Sequence, residues 1–350
     1  MRRYSARGRP RPGGTRVPDA PVTAAGETRL PGTGPLSPAM VVTGLIVGIV
    51  AVSTSAILIR LADAPALAVS FWRAALGAAA LAPAAAVAWS RLPRITGRQL
   101  AQLTGSGAFL ALHFALFIGS LDYTTVASAT LFAVMSPLFV GVGQAVFLGE
   151  PPGPRTWQGI AIALVGAAVV GLDSVVGAGG LAGGDGGPRV LGDLMAFASA
   201  AAVAGYLLIG RAARARLPVS VYAGAVYAVA AALLLPVSLL TGASLGLGVA
   251  GGEAYDAVTW WAIIGIVVGP QLLGHTVFNS LLSTVPPAVV STAVLAEPVG
   301  ASILAFIVFA EVPGWLVVAG APLLLAGVWR ATTRAPTAAG RAPPGPAGTR

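Results

Sequence analysis

Long apolar stretches separated by short polar joints make up most of the chain. A helix needs about 20 apolar residues to cross the hydrocarbon core of a bilayer, and ten stretches reach or approach that length. The joints, such as "RLPRITGR" and "EPPGPR", contain the Pro and Gly that favour turns. The pattern therefore predicts an all-α integral membrane protein with ten membrane-spanning helices, over residues 39–60, 65–89, 101–121, 124–149, 156–173, 191–211, 219–241, 258–282, 287–310 and 313–330.

The remaining segments are polar and of low complexity. Residues 1–38 are rich in Arg, Pro and Gly without apolar periodicity, which is typical of disorder, and residues 332–350 form a second tail of this kind. A Gly-rich linker at residues 174–190 divides the spans into two groups of five. We therefore expect two structural units, at residues 39–173 and 191–331.

Composition supports a membrane environment and excludes several kinds of site. The chain is 56% hydrophobic and only 9% charged, whereas a soluble domain carries about 25% charged residues. It has no cysteine, which excludes disulfides and thiolate metal sites. The net charge of +9 comes from arginines in the polar segments between spans. That distribution indicates membrane topology rather than a nucleic-acid interface.

The distribution of charge between the joints predicts the orientation. With the N-terminus in the cytoplasm, both basic tails and most joint arginines fall on the cytoplasmic side, as the positive-inside rule requires; these arginines are Arg91, Arg94, Arg98, Arg155, Arg211, Arg214 and Arg216. The opposite side receives Asp63, Asp122, Asp185, Glu253 and Asp256, with Arg60 and Arg189. We therefore expect a multi-pass protein with both termini cytoplasmic. The heavy use of Arg, Ala and Gly favours a bacterial plasma membrane as its location.

The two halves of the chain carry related sequences. "SPLFVGVGQAVFLGEPP" (residues 136–152) and "EPVGASILAFIVFAEVP" (residues 297–313) align without a gap at a shift of 161 residues. The alignment pairs Pro137 with Pro298, Glu150 with Glu311, Pro152 with Pro313 and Gly166 with Gly327. Because each half has an odd number of spans, the second half must be inverted relative to the first. Inverted repeats of this kind are the architecture of many secondary transporters.

These two segments, extended by "WQGIAIALVGAAVVG" and "GWLVVAGAPLLLAGV", resemble the two copies of the EamA domain of the drug/metabolite transporter superfamily. "PALAVSFWRAAL" resembles the second helix of that domain, and the resemblance covers residues 40–331. It implies a ten-helix carrier of small metabolites with a central cavity between the halves. One departure is that Ser136 stands in the first half where Glu297 stands in the second.

Glu297 is a carboxylate followed by a proline inside an apolar stretch. It lies about ten residues into its span, or about 15 Å deep. An ionised carboxylate there costs at least about 2.5 kcal/mol, so it should face a cavity or a partner. Pro298 removes a backbone hydrogen bond and predicts a bend. The pair is either a substrate or proton site, or a structural ion pair or protonated carboxyl bonded to a neighbouring helix.

Five further polar residues are candidates for the cavity. Arg73 lies about 12 Å from the outer end of its span, and its planar guanidinium suits either Glu297 or a substrate carboxylate. After a predicted break at Gly269–Pro270, polar residues recur every four positions on one helical face; these are Gln271, His275 and Asn279. They line either a cavity or a helix contact. His275 and His113 are either proton relays or hydrogen-bonded structural histidines.

Other polar residues are weaker candidates or structural. Gln144 and Tyr206 are weak cavity candidates. Glu150 and Glu311 end their spans and are interpreted as turn locks, that is, as structural residues that stabilise the turn to the next helix. Small hydroxyl residues commonly join helices in membranes.

The sequence predicts a transporter rather than an enzyme. It contains no P-loop, no Ser/His/Asp set and no metal-spaced cluster. The leading hypothesis is a secondary transporter that exports a small polar metabolite, such as an amino acid or its derivative, by alternating access. Alternatives are a multidrug or cationic-compound exporter and, in another class, a membrane scaffold or sensor. The expected partners are the substrate, the lipid bilayer, protons as coupling ion and a second copy in a homodimer, with no cofactor and no nucleic acid.

Overall fold

The computed structural model describes residues 36–120, 123–124, 132–133, 135–177, 186–248, 254–310 and 312–333. Apart from one isolated β-bridge, all regular structure in these ranges is helical. The helices are α1 (Pro38–Ser53), α2 (Ser55–Leu61), α3 (Ala66–Trp89), α4 (Gly97–Ser120), α5 (Ser136–Phe147), α6 (Pro154–Gly177), α7 (Gly186–Arg214), α8 (Val219–Leu240), α9 (Ala257–Ile266), the π-helix π1 (Val267–Thr276), α10 (Val277–Leu281), α11 (Pro287–Val294), α12 (Glu297–Phe309) and α13 (Trp315–Thr332).

Eight helical stretches in the described ranges are long and apolar enough to cross a membrane. Two more predicted spans, 124–149 and 156–173, correspond to shorter apolar helices at Ser136–Phe147 and Pro154–Val170. Large apolar side chains cover the outside of the bundle; Leu240, for example, is 86% exposed. Such a surface requires lipid rather than water around it. The all-helical, multi-pass fold expected from the sequence is confirmed.

Some predictions fall on parts of the chain outside the described residues. These are most of the two tails, the N-terminal part of the fourth span, and the residues Asp122, Asp185, Glu253 and Glu311. The expected linker at 174–190 is shortened from both sides, because α6 continues to Gly177 and α7 begins at Gly186.

The first span contains a break that the hydrophobic pattern does not predict. α1 ends at Ser53 and α2 begins at Ser55. The Thr54 hydroxyl donates to Ala51 O at 2.7 Å, and the Ser53 hydroxyl donates to Ile49 O at 2.8 Å and to Glu297 O at 3.3 Å. Hydroxyls that bond back to the preceding turn bend helices, so this Ser/Thr run interrupts an otherwise uniform apolar stretch.

The expected break at Gly269–Pro270 is wrong. The chain stays helical from Ala257 to Leu281, but its middle part widens into π1. Pro270 lacks the N–H that an α-helical turn would use, and the wider turn accommodates that loss without ending the helix. The glycines of π1 also allow close approach to α1, since a Cβ at Gly274 would lie 2.7 Å from Val52 Cγ1.

The ninth span is interrupted just before Glu297. α11 ends at Val294, and α12 begins at Glu297 with Pro298 as its second residue. The interruption therefore precedes the Glu-Pro pair rather than following from a bend at Pro298. α5 begins in the same way at Ser136, with Pro137 second. The residues before the two helices have nearly equal backbone angles, with φ −76° and ψ −5° at Met135 and φ −73° and ψ −13° at Ala296.

Four pairs of long helices carry most of the packing: α6 with α13, α3 with α8, α4 with α7, and α4 with α8. The α6–α13 contact depends on glycine. A Cβ at Gly166 would lie 2.3 Å from the backbone nitrogen of Leu324, and one at Gly327 would lie 2.3 Å from that of Ala163. Small residues that bring backbones together are the usual means of helix association in membranes.

Candidate functional site

Arg73 is buried in the middle of the helix bundle. It lies on α3, where only 5% of its surface is exposed. Its Nε donates to Gln271 Oε1 at 2.9 Å, and its guanidinium carbon lies 4.2 Å from the centre of the Phe114 ring on α4. The aromatic face attracts the cation, and the amide fixes the rotation of the guanidinium plane. Arg73 is therefore held in one orientation by two other helices.

Gln271 is presented to Arg73 by the widened turn of π1. Its backbone carbonyl accepts from Thr276 Oγ1 at 3.1 Å and from the Tyr227 hydroxyl at 3.3 Å. Gly77 on α3 leaves the space for its side chain, since a Cβ there would lie 2.9 Å from Gln271 Cγ. π-helical turns occur frequently at functional sites. Here the turn places a fully buried amide against a buried cation.

Two buried amide groups have donors that no acceptor in the described part of the chain satisfies. They are Gln271 Nε2 and Asn279 Nδ2. Asn279 Oδ1 accepts from the Tyr206 hydroxyl at 2.6 Å, and its backbone carbonyl accepts from Arg214 Nε at 3.0 Å. Burying a donor without a partner costs about 1–3 kcal/mol. An acceptor atom of a ligand or water would therefore complete either position.

The two histidines have different surroundings. The His275 ring lies edge-on to Phe114 and Tyr206, with ring centres 5.9 Å and 6.4 Å away. His113 Nδ1 lies 2.8 Å from Ser199 Oγ and 3.2 Å from the Ser199 carbonyl oxygen on α7. His113 is therefore hydrogen-bonded to α7. Both histidines are half-buried.

Glu297 is the first residue of α12, and the dipole of a helix favours a negative charge at this N-terminal end. Glu297 is half-buried. Glu297 and Arg73 attract each other electrostatically without forming an ion pair among the described residues. The two opposite charges expected in the membrane therefore lie within electrostatic range of each other.

The structure brings most of the expected site residues together. Arg73, Gln271, His275 and Asn279 are linked through Phe114 and Tyr206, Glu297 lies within electrostatic range of Arg73, and His113 lies beside Phe114. The helices that supply them come from both halves of the chain. A cation, a carboxylate, unpaired amide donors and aromatic faces can hold a small polar or zwitterionic molecule.

Gln144 does not belong to this region, contrary to its interpretation as a weak cavity candidate. Its Oε1 accepts from Ala288 N at 3.0 Å, and its Nε2 donates to Glu150 O at 2.6 Å. Glu150 forms an ion pair of 3.2 Å with Arg211, which also donates to Leu282 O at 2.8 Å. These contacts join the ends of α5, α7, α10 and α11, as expected for a turn lock at Glu150.

Sequence reasoning missed three contributors to the site region. Phe114 and Tyr227 are apolar or amphipathic residues in an apolar chain, so no pattern marks them. Arg214 was assigned to a polar joint, but only 1% of its surface is exposed. Its guanidinium donates to the carbonyls of Asn279 and Leu217. The cation therefore caps the end of α10 instead of facing water.

At the end of the bundle opposite Arg211, side chains form hydrogen bonds with backbone atoms. Trp72 Nε1 donates to Leu245 O at 3.0 Å, and the Tyr255 hydroxyl donates to Ser244 O. The Asp256 carboxylate accepts from Thr259 N at 2.7 Å at the start of α9. This hydrogen bond holds the pKa of Asp256 below its ordinary value.

Comparison with known proteins agrees with the arrangement of two related halves. The model of the EamA-like transporter family matches residues 39–172 and again residues 190–333. No curated protein matches the chain. A solved structure, described only as the crystal structure of a protein, is similar with a TM-score of 0.68 and 22% identity, over 85% of this chain and 97% of that chain. At that identity the likeness shows a shared fold.

Proposed function

Because the chain belongs to the EamA-like transporter family of membrane transporters, we propose that it is a secondary active transporter that exports a small polar metabolite. The cargo is an amino acid or an amino-acid derivative. The observation that carries the proposal is the pair Arg73 and Glu297, which lies within the bundle without a contact ion pair. A purely structural role would favour direct pairing, since an uncompensated buried charge is costly.

The proposed transport cycle uses two inverted repeats of five helices each. The matching starts of α5 and α12 support the repeat, and so does the packing of the helices. α7 contacts α4 and α5 in the same way that α1 contacts π1 and α12. Two related halves that meet around a site can rock against each other and expose it alternately to the two sides.

The proposed orientation places both termini in the cytoplasm of a bacterium. Arg211 and the joint arginines then lie at the cytoplasmic end, while Asp63 and Asp256 lie at the outer end. The positive-inside rule supports this placement. Glu297 is the proposed coupling group, because a half-buried carboxylate within the membrane can gain and lose a proton during the cycle.

Flux in proteoliposomes tests the proposal. Labelled amino acids and small cations would be screened with and without a pH gradient, for the wild type and for Glu297→Gln and Arg73→Ala. We expect flux that depends on the gradient in the wild type and loses that dependence in Glu297→Gln. Flux that survives both substitutions would return the two residues to structural roles. No flux of any compound from folded protein would contradict transport and favour a scaffold or sensor.

A cationic-compound exporter is the second candidate. The observation that favours it is the cluster of aromatic rings that Phe114 and Tyr206 form around His275. Aromatic faces bind organic cations. Competition decides between the two: a lipophilic cation would block amino-acid flux only weakly in the first case, and would itself be the transported compound in the second.

A further inference from the structure

We propose that Arg73 and Gln271 form a binding site for the carboxylate of the transported compound. The inference rests on the proposed transport function and assigns the chemical group that this site accepts. It also assigns the orientation of the bound compound: its carboxylate lies against α3 and π1, and not against α12.

The first support is that only part of the Arg73 guanidinium group already has a partner. Nε of Arg73 is used by Gln271 Oε1, and one face is covered by Phe114. The two Nη atoms make no hydrogen bond to the described part of the chain. Their N–H groups lie in the guanidinium plane, which is the edge that binds a carboxylate through two parallel hydrogen bonds. The protein has therefore fixed the plane and left the binding edge open.

The second support is the direction of the Gln271 amide. Because Oε1 accepts from Arg73, Nε2 points away as a donor. The Tyr227 hydroxyl lies close to the side chains of Gln271 and Asn279, but neither of their buried amide nitrogens makes a hydrogen bond of good geometry among the described residues. Asn279 repeats the arrangement further along the helix, with Oδ1 used by Tyr206 and Nδ2 left unpaired. All of these open groups are donors. A group that satisfies them must be an acceptor, and beside a cation it is best an anion.

The third support is the local charge, which selects a singly charged anion. One arginine offers one positive charge, and Glu297 lies within electrostatic range of it. A phosphate, with up to two negative charges, would be repelled by Glu297 more than a carboxylate would be. The stacked Phe114 and the nearby rings of His275 and Tyr206 supply apolar faces for the rest of the molecule.

A matched ligand panel tests the site. The melting temperature of the purified full-length protein would be measured with each of the twenty common L-amino acids, with the corresponding amides and with inorganic phosphate. Ligands that bind only the folded state raise the melting temperature. We expect one or more acids to raise it, and the matching amide, which lacks the carboxylate, to bind about tenfold or more weakly. Equal binding of acid and amide, binding of phosphate alone, or no binding by any acid would overturn the inference.

Substitutions at Gln271 give a second readout, the melting temperature of the protein without ligand, beside its response to acids. Gln271→Glu places a carboxylate beside Arg73 with almost no change of shape. We expect this variant to melt at or above the wild-type temperature and to lose the response to acids, because its own carboxylate occupies the site. Gln271→Leu should lose the response and melt lower. A Gln271→Glu protein that melts as low as Gln271→Leu would contradict the proposal.

The chain offers a matched control at the surface. Gln158 Oε1 accepts from Arg330 Nε at 3.1 Å, so it forms an arginine–glutamine pair of the same chemistry in an exposed place. Gln158→Glu and Gln158→Leu should leave the ligand response unchanged. Flux measurements separate this inference from the proposed function. Flux of amides or amines without carboxylate selectivity would overturn only the site, whereas carboxylate binding without flux would overturn only transport.

Discussion

The polar residues of the bundle are held by small neighbours as well as by hydrogen bonds. Arg73 and Gln271 meet because Gly77, one turn along α3 from Arg73, leaves room for the glutamine. A Cβ at Gly77 would lie 2.9 Å from Gln271 Cγ and 3.3 Å from Tyr227 Cδ2. The position of the amide therefore depends on the absence of a single methyl group.

We expect Gly77→Ala to weaken substrate binding more than it weakens the fold. The new methyl group displaces Gln271 and rotates the guanidinium that the amide orients. A loss of about tenfold in affinity, or about 1.4 kcal/mol, is expected, with a small change in melting temperature. Gly97→Ala is the control, because a Cβ at Gly97 has nothing within 4 Å. Unchanged affinity in Gly77→Ala would show that the position of Gln271 does not matter for binding.

Arg214 is predicted to stabilise the protein rather than to bind substrate. Its Nε donates to Asn279 O at 3.0 Å, and Nη1 donates to Leu217 O. Arg214→Met keeps much of the volume but leaves both buried carbonyls without this donor. A loss of about 1–3 kcal/mol per unsatisfied group is expected. The free energy of unfolding in denaturant measures it, with the exposed Arg216→Met as the control; equal effects of the two variants would contradict the assignment.

At the scale of elements, the positions of the helices could be predicted from the sequence. The interruptions within the helices could be predicted only in part. The bounds of α3 and α8 agree closely with the predicted spans 65–89 and 219–241, because the length of an apolar stretch is a local property. Glu297 and Arg73 could be recognised because a charge in apolar sequence is conspicuous. The π-helical turn and the break at Thr54 could not, because the apolar pattern does not show whether a proline or a Ser/Thr run will widen, interrupt or leave intact the helix that contains it. The pairing of Arg73 with Gln271 joins residues 198 positions apart.

The packing of α6 against α13 gives a prediction at this scale. Gly327 contacts the backbone of Ala163, where a Cβ would lie only 2.3 Å from the nitrogen. Gly327→Ala must separate the two helices, because backbone atoms cannot move aside as a side chain does. Overpacking of this kind costs about 1–3 kcal/mol, which a lowered melting temperature should show.

Gly153→Ala is the control for Gly327→Ala, since a Cβ at Gly153 meets nothing within 4 Å. Similar melting temperatures for the two variants would mean that α6 and α13 tolerate a wider separation than their contact indicates.

At the scale of the whole molecule, the two ends of the bundle differ in how they are closed. The end that contains Arg211 is held by a part-exposed ion pair with Glu150 and by the amide of Gln144, which together join four helices. The opposite end is held by Trp72, Tyr255 and Asp256 through contacts to backbone atoms. If the transporter works by alternating access, the ion pair at Arg211 must open when the site faces that side.

We therefore expect Glu150→Gln to shift the protein toward the state that is open at the Arg211 end. The chain contains no cysteine, so Phe117→Cys supplies a single half-buried reporter in the helix bundle beside His113.

The ion pair between Glu150 and Arg211 is part-exposed, and such pairs contribute at most about 1 kcal/mol, which corresponds to about fivefold in an equilibrium constant. Labelling by a membrane-impermeant maleimide from the Arg211 side should accelerate by up to that factor, and labelling from the opposite side should slow. The control is Arg216→Gln, which removes an exposed arginine charge just after the same end of α7. Faster labelling from both sides would indicate general loosening of the bundle, and equal rates in Glu150→Gln and the control would show that this ion pair does not hold the end closed.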